Sequence, residues 1–220
     1  RVREAIRYAV NVDEILTGAY NDVPNRANTM LAPDVLGHWA DAPAYQPDLE
    51  RARALLAEAG YEGGFETTLI TNEVPYHQQA IAIVQQQLAQ VGIDAEIQIV
   101  QNMYESIGQG GMEGIHYASF SAVLDPGYWF EWFSCDQVGA WNYWHWCNEE
   151  YDALKAEATR TSDPDERAAA YVRMQQLIDE DVAAIWTTNG ASVYVHREGA
   201  VDPAFVANYA QYAFWDQPAE

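Results

Sequence analysis

The segment from Phe65 to Val100 constrains the fold more than any other part of this 220-residue chain. FETTLI alternates Phe65, Thr67 and Leu69 against Glu66, Thr68 and Ile70, and its threonines favour a strand over residues 65 to 71. From Tyr76 to Gln90, Ile81, Val84 and Leu88 recur at helical spacing, continued by Val91 up to Gly92, before IDAEIQIV alternates again. A helix of this length between two strands favours a parallel pair, which needs a long crossover, whereas a short turn can close an antiparallel pair. The expected class is α/β, with an open, mainly parallel sheet flanked by helices.

The remaining elements extend that unit. Val2, Ala5, Ile6, Ala9, Ile15, Leu16 and Ala19 predict two short helices over residues 2 to 20, the second starting after Asn11. Prolines 24, 33, 43 and 47 with Gly37 break any period between residues 21 and 47 and predict an extended surface connection, one long enough to imply packing against another body. DLERARALLAEAG reads as a helix from Pro47-Asp48 to a Gly60 stop. A short helix over 103 to 109 and a third strand over 115 to 122 should enlarge the sheet. Helices are predicted over 149 to 160 and 164 to 181, the latter capped by Asp163 ahead of Pro164. The tail turns β-like, with strands expected near 183 to 188 and 192 to 197 and no clear period over 200 to 220.

A formal charge of −22, with 11 basic residues spread along the chain, argues against nucleic-acid and anionic-membrane binding and fits a solubilising surface. No stretch approaches the roughly 20 consecutive apolar residues of a membrane span. An amphipathic helix that begins at the first residue without a cap reads as part of a longer protein.

Chemistry-bearing motifs are sparse. His38, His77, His116, His145 and His196 are scattered without metal-ligand spacing, so no metal or cofactor is implied. The GQGG run at 108 to 111 closes a predicted helix and reads as a turn, not a phosphate loop. No GxSxG elbow occurs, although a Ser, His and Asp set can assemble from distant positions, which leaves an extracellular hydrolase as the lower-ranked alternative.

The most unusual stretch runs from Tyr128 to Trp146, where ten of nineteen residues are aromatic or His. Trp and Tyr combine a flat apolar face with a polar edge, so Tyr128, Trp129, Trp132, Trp141, Tyr143 and Trp144 divide between core packing and ligand contact. Cys135 and Cys147 bracket part of it; their spacing fits a disulfide or two buried thiols.

Taken in order, RVREAIRYAVNVDEIL, DLERARALLAEAGY, QLAQVGIDAEIQIV, the Asp125-Pro126 turn, NEEYDAL and TSDPDERAAAYVRMQQLIDED resemble the carboxy-terminal half of the family 5 solute-binding proteins of ABC importers. The resemblance covers Arg1 to about Val201. It implies a periplasmic-binding-protein-like lobe over residues 1 to 190, and a tail over 191 to 220 that returns toward a first lobe outside this sequence. It also implies a Cys135–Cys147 bridge, a periplasmic or extracellular location in the bacterial envelope, and noncovalent capture of a peptide or peptide-like solute for ABC permease subunits. The implied ligand contacts are Ser121, Ala122, Asp125, Tyr128, Trp129, Trp141, Tyr143 and Trp144. Peptide-binding members place an Asp three residues before the DP turn to hold the ligand's amino group; Ala122 stands there instead, with Asp125 close by as a substitute. That departure keeps opines and oligosaccharides open as ligands, alongside a chemoreceptor partner and a structural module that uses the aromatic patch.

Overall fold

The computed structural model describes residues 1–108, 113–119, 125–190, 203–206 and 209–212. The chain opens with α1 (Val2–Ala9) and α2 (Val12–Tyr20), separated at Asn11, whose side-chain oxygen accepts from the Asp13 and Glu14 amides and caps the second helix. β1 (Asn25–Arg26) is brief, and α3 (Leu49–Glu58) starts at the Asp48 cap. β2 (Phe65–Thr71), α4 (Pro75–Ala89) and β3 (Ile93–Ile99) form the expected crossover unit. β2 runs parallel to β3 with Phe65 opposite Ile93, and parallel on its other side to β4 (Ile115–His116), giving the order β3-β2-β4. Where the two long strands begin, Gly64 and Gly92 touch backbone to backbone with positive φ angles of 78° and 88°; a Cβ on Gly64 would collide with the Gly92 carbonyl.

Leu69, Ile81, Leu88 and Ile93 bury the inner faces of this unit against Ala5, Ile15 and Leu56 from the first three helices. α5 (Met103–Gly108) follows the sheet. The aromatic stretch then folds as α6 (Gly127–Phe130) and two 3-10 turns, Glu131–Phe133 and Cys135–Gln137. It packs on α7 (Glu149–Arg160) and α8 (Pro164–Glu180) around a second core of Leu31, Phe130, Phe133, Tyr151, Met174 and Ile178. The cores are tied together by Arg7 of α1, whose guanidinium meets the Asp179 carboxylate at 3.0 Å while Tyr45 donates to the other carboxylate oxygen at 2.7 Å.

Three expectations need correction. The connection over 21 to 47 is partly interior: Leu31 is fully buried, and Gln175 of α8 accepts from Thr29 Oγ1 and the Leu31 amide while donating to the Gly37 carbonyl. These bonds replace a regular ladder, so the prolines break the period without expelling the chain from the core. The strand expected over 115 to 122 is regular only at Ile115–His116, the ladder ending where the Tyr117 amide donates to the Ile70 carbonyl; residues 120–122 lie outside the described residues. In place of a strand over 183 to 188, only β5 (Thr188–Asn189) pairs, antiparallel to β1. The strand expected near 192 to 197 lies outside the described residues, and within 200 to 220, β6 (Pro203–Val206) and β7 (Tyr209–Tyr212) pair antiparallel.

Candidate ligand-binding cleft

In an open parallel sheet the strand ends supply a crevice, because backbone and side chains diverge there toward different crossovers. Here the carboxyl ends of β2 and β4 deliver Thr71, Asn72 and Tyr117 to one place, and Thr71 Oγ1 donates to the Tyr117 carbonyl at 2.9 Å. α4 begins at the same edge with Pro75, Tyr76 and His77. A cleft of about 1650 Å³ opens there, bordered by Tyr20, Tyr76, His77 and Tyr117 from the sheet-bearing half. Trp129, Trp132, Phe133, Tyr143 and Trp144 border it from the aromatic stretch, as do residues 182–190.

The sheet-side border combines the uncharged phenols Tyr20, Tyr76 and Tyr117 and the imidazole of His77 with two charged residues, Arg3 and Glu113. The Tyr20 and Tyr117 hydroxyls are 3.1 Å apart, and the Tyr117 hydroxyl lies 3.3 Å from Thr187 Oγ1. Burial pushes both phenols above their ordinary range, so both remain protonated donors at neutral pH. His77 is held down by burial and is neutral. Tyr104, raised by burial as well, donates to the Ser119 carbonyl.

Several contacts brace the aromatic border. Phe133 stacks on Trp144 at 4.4 Å between centroids, and Trp146 packs edge-on to Tyr151 at 5.2 Å. Buried Tyr151 donates to the Phe130 carbonyl at 2.7 Å. Lys155 reaches from α7 to Glu131 and to Ser134 Oγ. Cys135 and Cys147 are joined in a disulfide, which closes the loop that carries Trp141 to Trp146. Inside that loop the Asn142 amide donates to the Ser134 and Trp146 carbonyls at 2.9 and 2.6 Å.

Of the expected ligand contacts, Trp129, Tyr143 and Trp144 border the cleft. Tyr128 and Trp141 are half exposed and stand beside that border, each packed on Trp132 with centroids 6.1 and 6.3 Å apart. Asp125 is away from the bordering residues, bound to Arg167 and to the Gly127 amide. Ser121 and Ala122 lie outside the described residues. Sequence reasoning missed Tyr20, Tyr76, His77 and Tyr117; only the convergence of strand ends that the β-α-β pattern implies could have pointed to Tyr76 and His77. Among the described residues no cluster of His, Cys, Asp and Glu is arranged to hold a metal, and no helix is long and apolar enough to cross a membrane.

This architecture, helices around an open parallel sheet with a cleft at the strand ends, is that of a periplasmic-binding-protein-like lobe. Residues 1–141 match the model of the bacterial extracellular solute-binding proteins, family 5 Middle, and the chain belongs to that family. It is 31% identical over 196 residues to the glutathione-binding protein GsiB of Escherichia coli (strain K12), and 32% identical over the same length to that of Salmonella typhi. Each alignment covers 81% of this chain and 37% of the relative, so the chain spans little more than a third of those proteins. Among solved structures, the Helicobacter pylori periplasmic binding protein DppA in complex with the peptide STSA superposes with a TM-score of 0.78 at 26% identity, over 84% of this chain and 37% of that one. A Pseudoalteromonas dipeptide-binding protein in complex with Met-Leu gives 0.83 at 23% identity, over 96% and 43%, a likeness of fold.

Proposed function

We propose that this chain is one lobe of an extracytoplasmic receptor that captures a peptide or peptide-like solute without covalent chemistry and delivers it to an ABC permease. The observation that carries the reading is the cleft at the strand ends, bordered on one side mainly by hydroxyl and imidazole groups and on the other by indole and phenol rings, of which Tyr143 and Trp144 are held by a disulfide loop. Such surfaces bind by stacking, hydrogen bonding and exclusion of water. The relatives named for glutathione binding, and the DppA structure with a bound peptide, support the ligand class. Trp129, Tyr143 and Trp144 are the assigned contacts from the aromatic border, with Tyr128 and Trp141 at its rim.

In this reading the protein works in the bacterial envelope, a first lobe covers the opposite side of the ligand, and the tail over 191 to 220 returns toward that lobe. Ligand favours the closed state by its differential affinity, and the permease reads the closed shape. The parallel rings of Trp132 and Trp141, 17° apart, favour a second reading in which a sugar or opine ring stacks at the rim.

A thermal-shift screen against pooled short peptides, oligosaccharides and opine-like conjugates tests the ligand class, because a ligand that binds the native state raises its midpoint. A saturable shift with the peptide pool supports the first reading. A shift confined to the sugar or opine pool overturns it in favour of the second.

A further inference from the structure

Asn72, just after β2, accepts from two groups at one atom: the Val74 amide at 3.3 Å and His77 Nδ1 at 2.8 Å. A backbone amide can only donate, so that atom is the carbonyl oxygen and His77 Nδ1 carries the proton. Nε2 is therefore a bare acceptor. It is buried in the border of the cleft, in a residue 1% exposed, and no group among the described residues bonds to it. Among the described residues, the Asn72 amide and the rings of Tyr76 and Tyr117 face the imidazole, the rings meeting it edge-on at 4.8 and 5.6 Å. A buried acceptor without a donor is costly, and a Leu or Phe at this position of α4 would fill the space without that cost. Tyr76 is 45% exposed and packs against Tyr20 at the same border, between the imidazole and the open side of the cleft.

We propose that His77 Nε2 is a specificity-determining acceptor that receives a hydrogen bond from an uncharged N–H or O–H of the bound ligand, reached when the Tyr76 ring turns aside. The inference rests on the capture of a peptide-like ligand argued above. An amide N–H suits the position, whereas a buried ammonium would lack a compensating charge there.

The test is calorimetric titration of wild-type protein, His77→Phe and His77→Gln with glutathione and with Met-Leu, together with the unfolding midpoint and the 15N spectrum of the imidazole. The expected result is the Nδ1-protonated tautomer in the free protein, with the Nε2 resonance displaced on saturation with the bound probe. His77→Phe should bind about tenfold more weakly without a lower midpoint, and His77→Gln, which offers a new acceptor, should recover part of the loss. Equal affinity in wild type and His77→Phe, or a proton on Nε2 in the free protein, overturns the inference alone. If wild type binds neither probe, the peptide-capture reading fails and this inference fails with it.

Discussion

Asp125 places both carboxylate oxygens on one guanidinium nitrogen of Arg167, at 2.6 and 2.7 Å, and also accepts the Gly127 amide at 2.8 Å. The turn that launches the aromatic stretch is thereby fastened to α8. The hydrogen bond from Arg167 holds the Asp125 carboxyl below its ordinary value. A depressed acid contributes stability above its unfolded pKa and loses it as pH falls through the folded one. Because the carboxylate is more than half exposed, Arg167→Ala should cost at most about 1 kcal/mol. The same variant should return the Asp125 carboxyl toward ordinary values, read by NMR titration.

Arg7 and Asp179 form a more consequential pair, since both are largely buried and the Tyr45 hydroxyl completes the carboxylate's shell. Burial and the neighbouring Asp179 push Tyr45 up to about 12. Asp179→Ala leaves Arg7 without its partner and should destabilise by roughly 3 to 5 kcal/mol, a drop of several degrees in unfolding midpoint. Denaturant melts of Asp179→Ala and Arg7→Met compared with wild type check it.

Reduction of Cys135–Cys147 should release the loop that holds Tyr143 and Trp144 at the cleft. A closed loop of this length contributes about 2 to 3 kcal/mol in the chain-entropy account. The expected outcome is a lower melting midpoint and a weaker near-UV aromatic signal in reductant, with both changes reproduced by Cys135→Ser/Cys147→Ser.

His77 supplies a pH dependence. Burial lowers its pKa below 6.5, so the unfolded chain binds the proton more readily than the native one. Its contribution is complete above about pH 6.5 and is lost as pH falls toward the depressed folded value. Stability followed from pH 7.5 to 5 should decline more steeply in wild type than in His77→Phe.

The sheet was legible because it obeys a local rule. Period two in Phe65 to Thr71, helical spacing through Leu88 and alternation from Ile93 are consequences of which faces are buried, and β2 and β3 pair parallel as those patterns require. Leu31 was hidden because its burial depends on Gln175, 144 positions away, and no periodic signal records such a bond. The polar half of the cleft was equally illegible. Tyr20 and Tyr117 are 97 residues apart and become partners only when the end of α2 meets the end of β4. The aromatic half announced itself by composition, yet composition does not say that Phe130 and Phe133 enter the core while Trp141 stays half exposed.

The most direct measurement is titration calorimetry with glutathione and dipeptides, followed by mass spectrometry of the ligand recovered from the cell. Capture predicts saturable, stoichiometric binding, lost or weakened when Trp144 is replaced by Ala, with the ligand recovered intact. A cleaved or altered ligand would contradict the account by revealing chemistry at the cleft, as would binding indifferent to Trp144, Tyr143 and His77 alike.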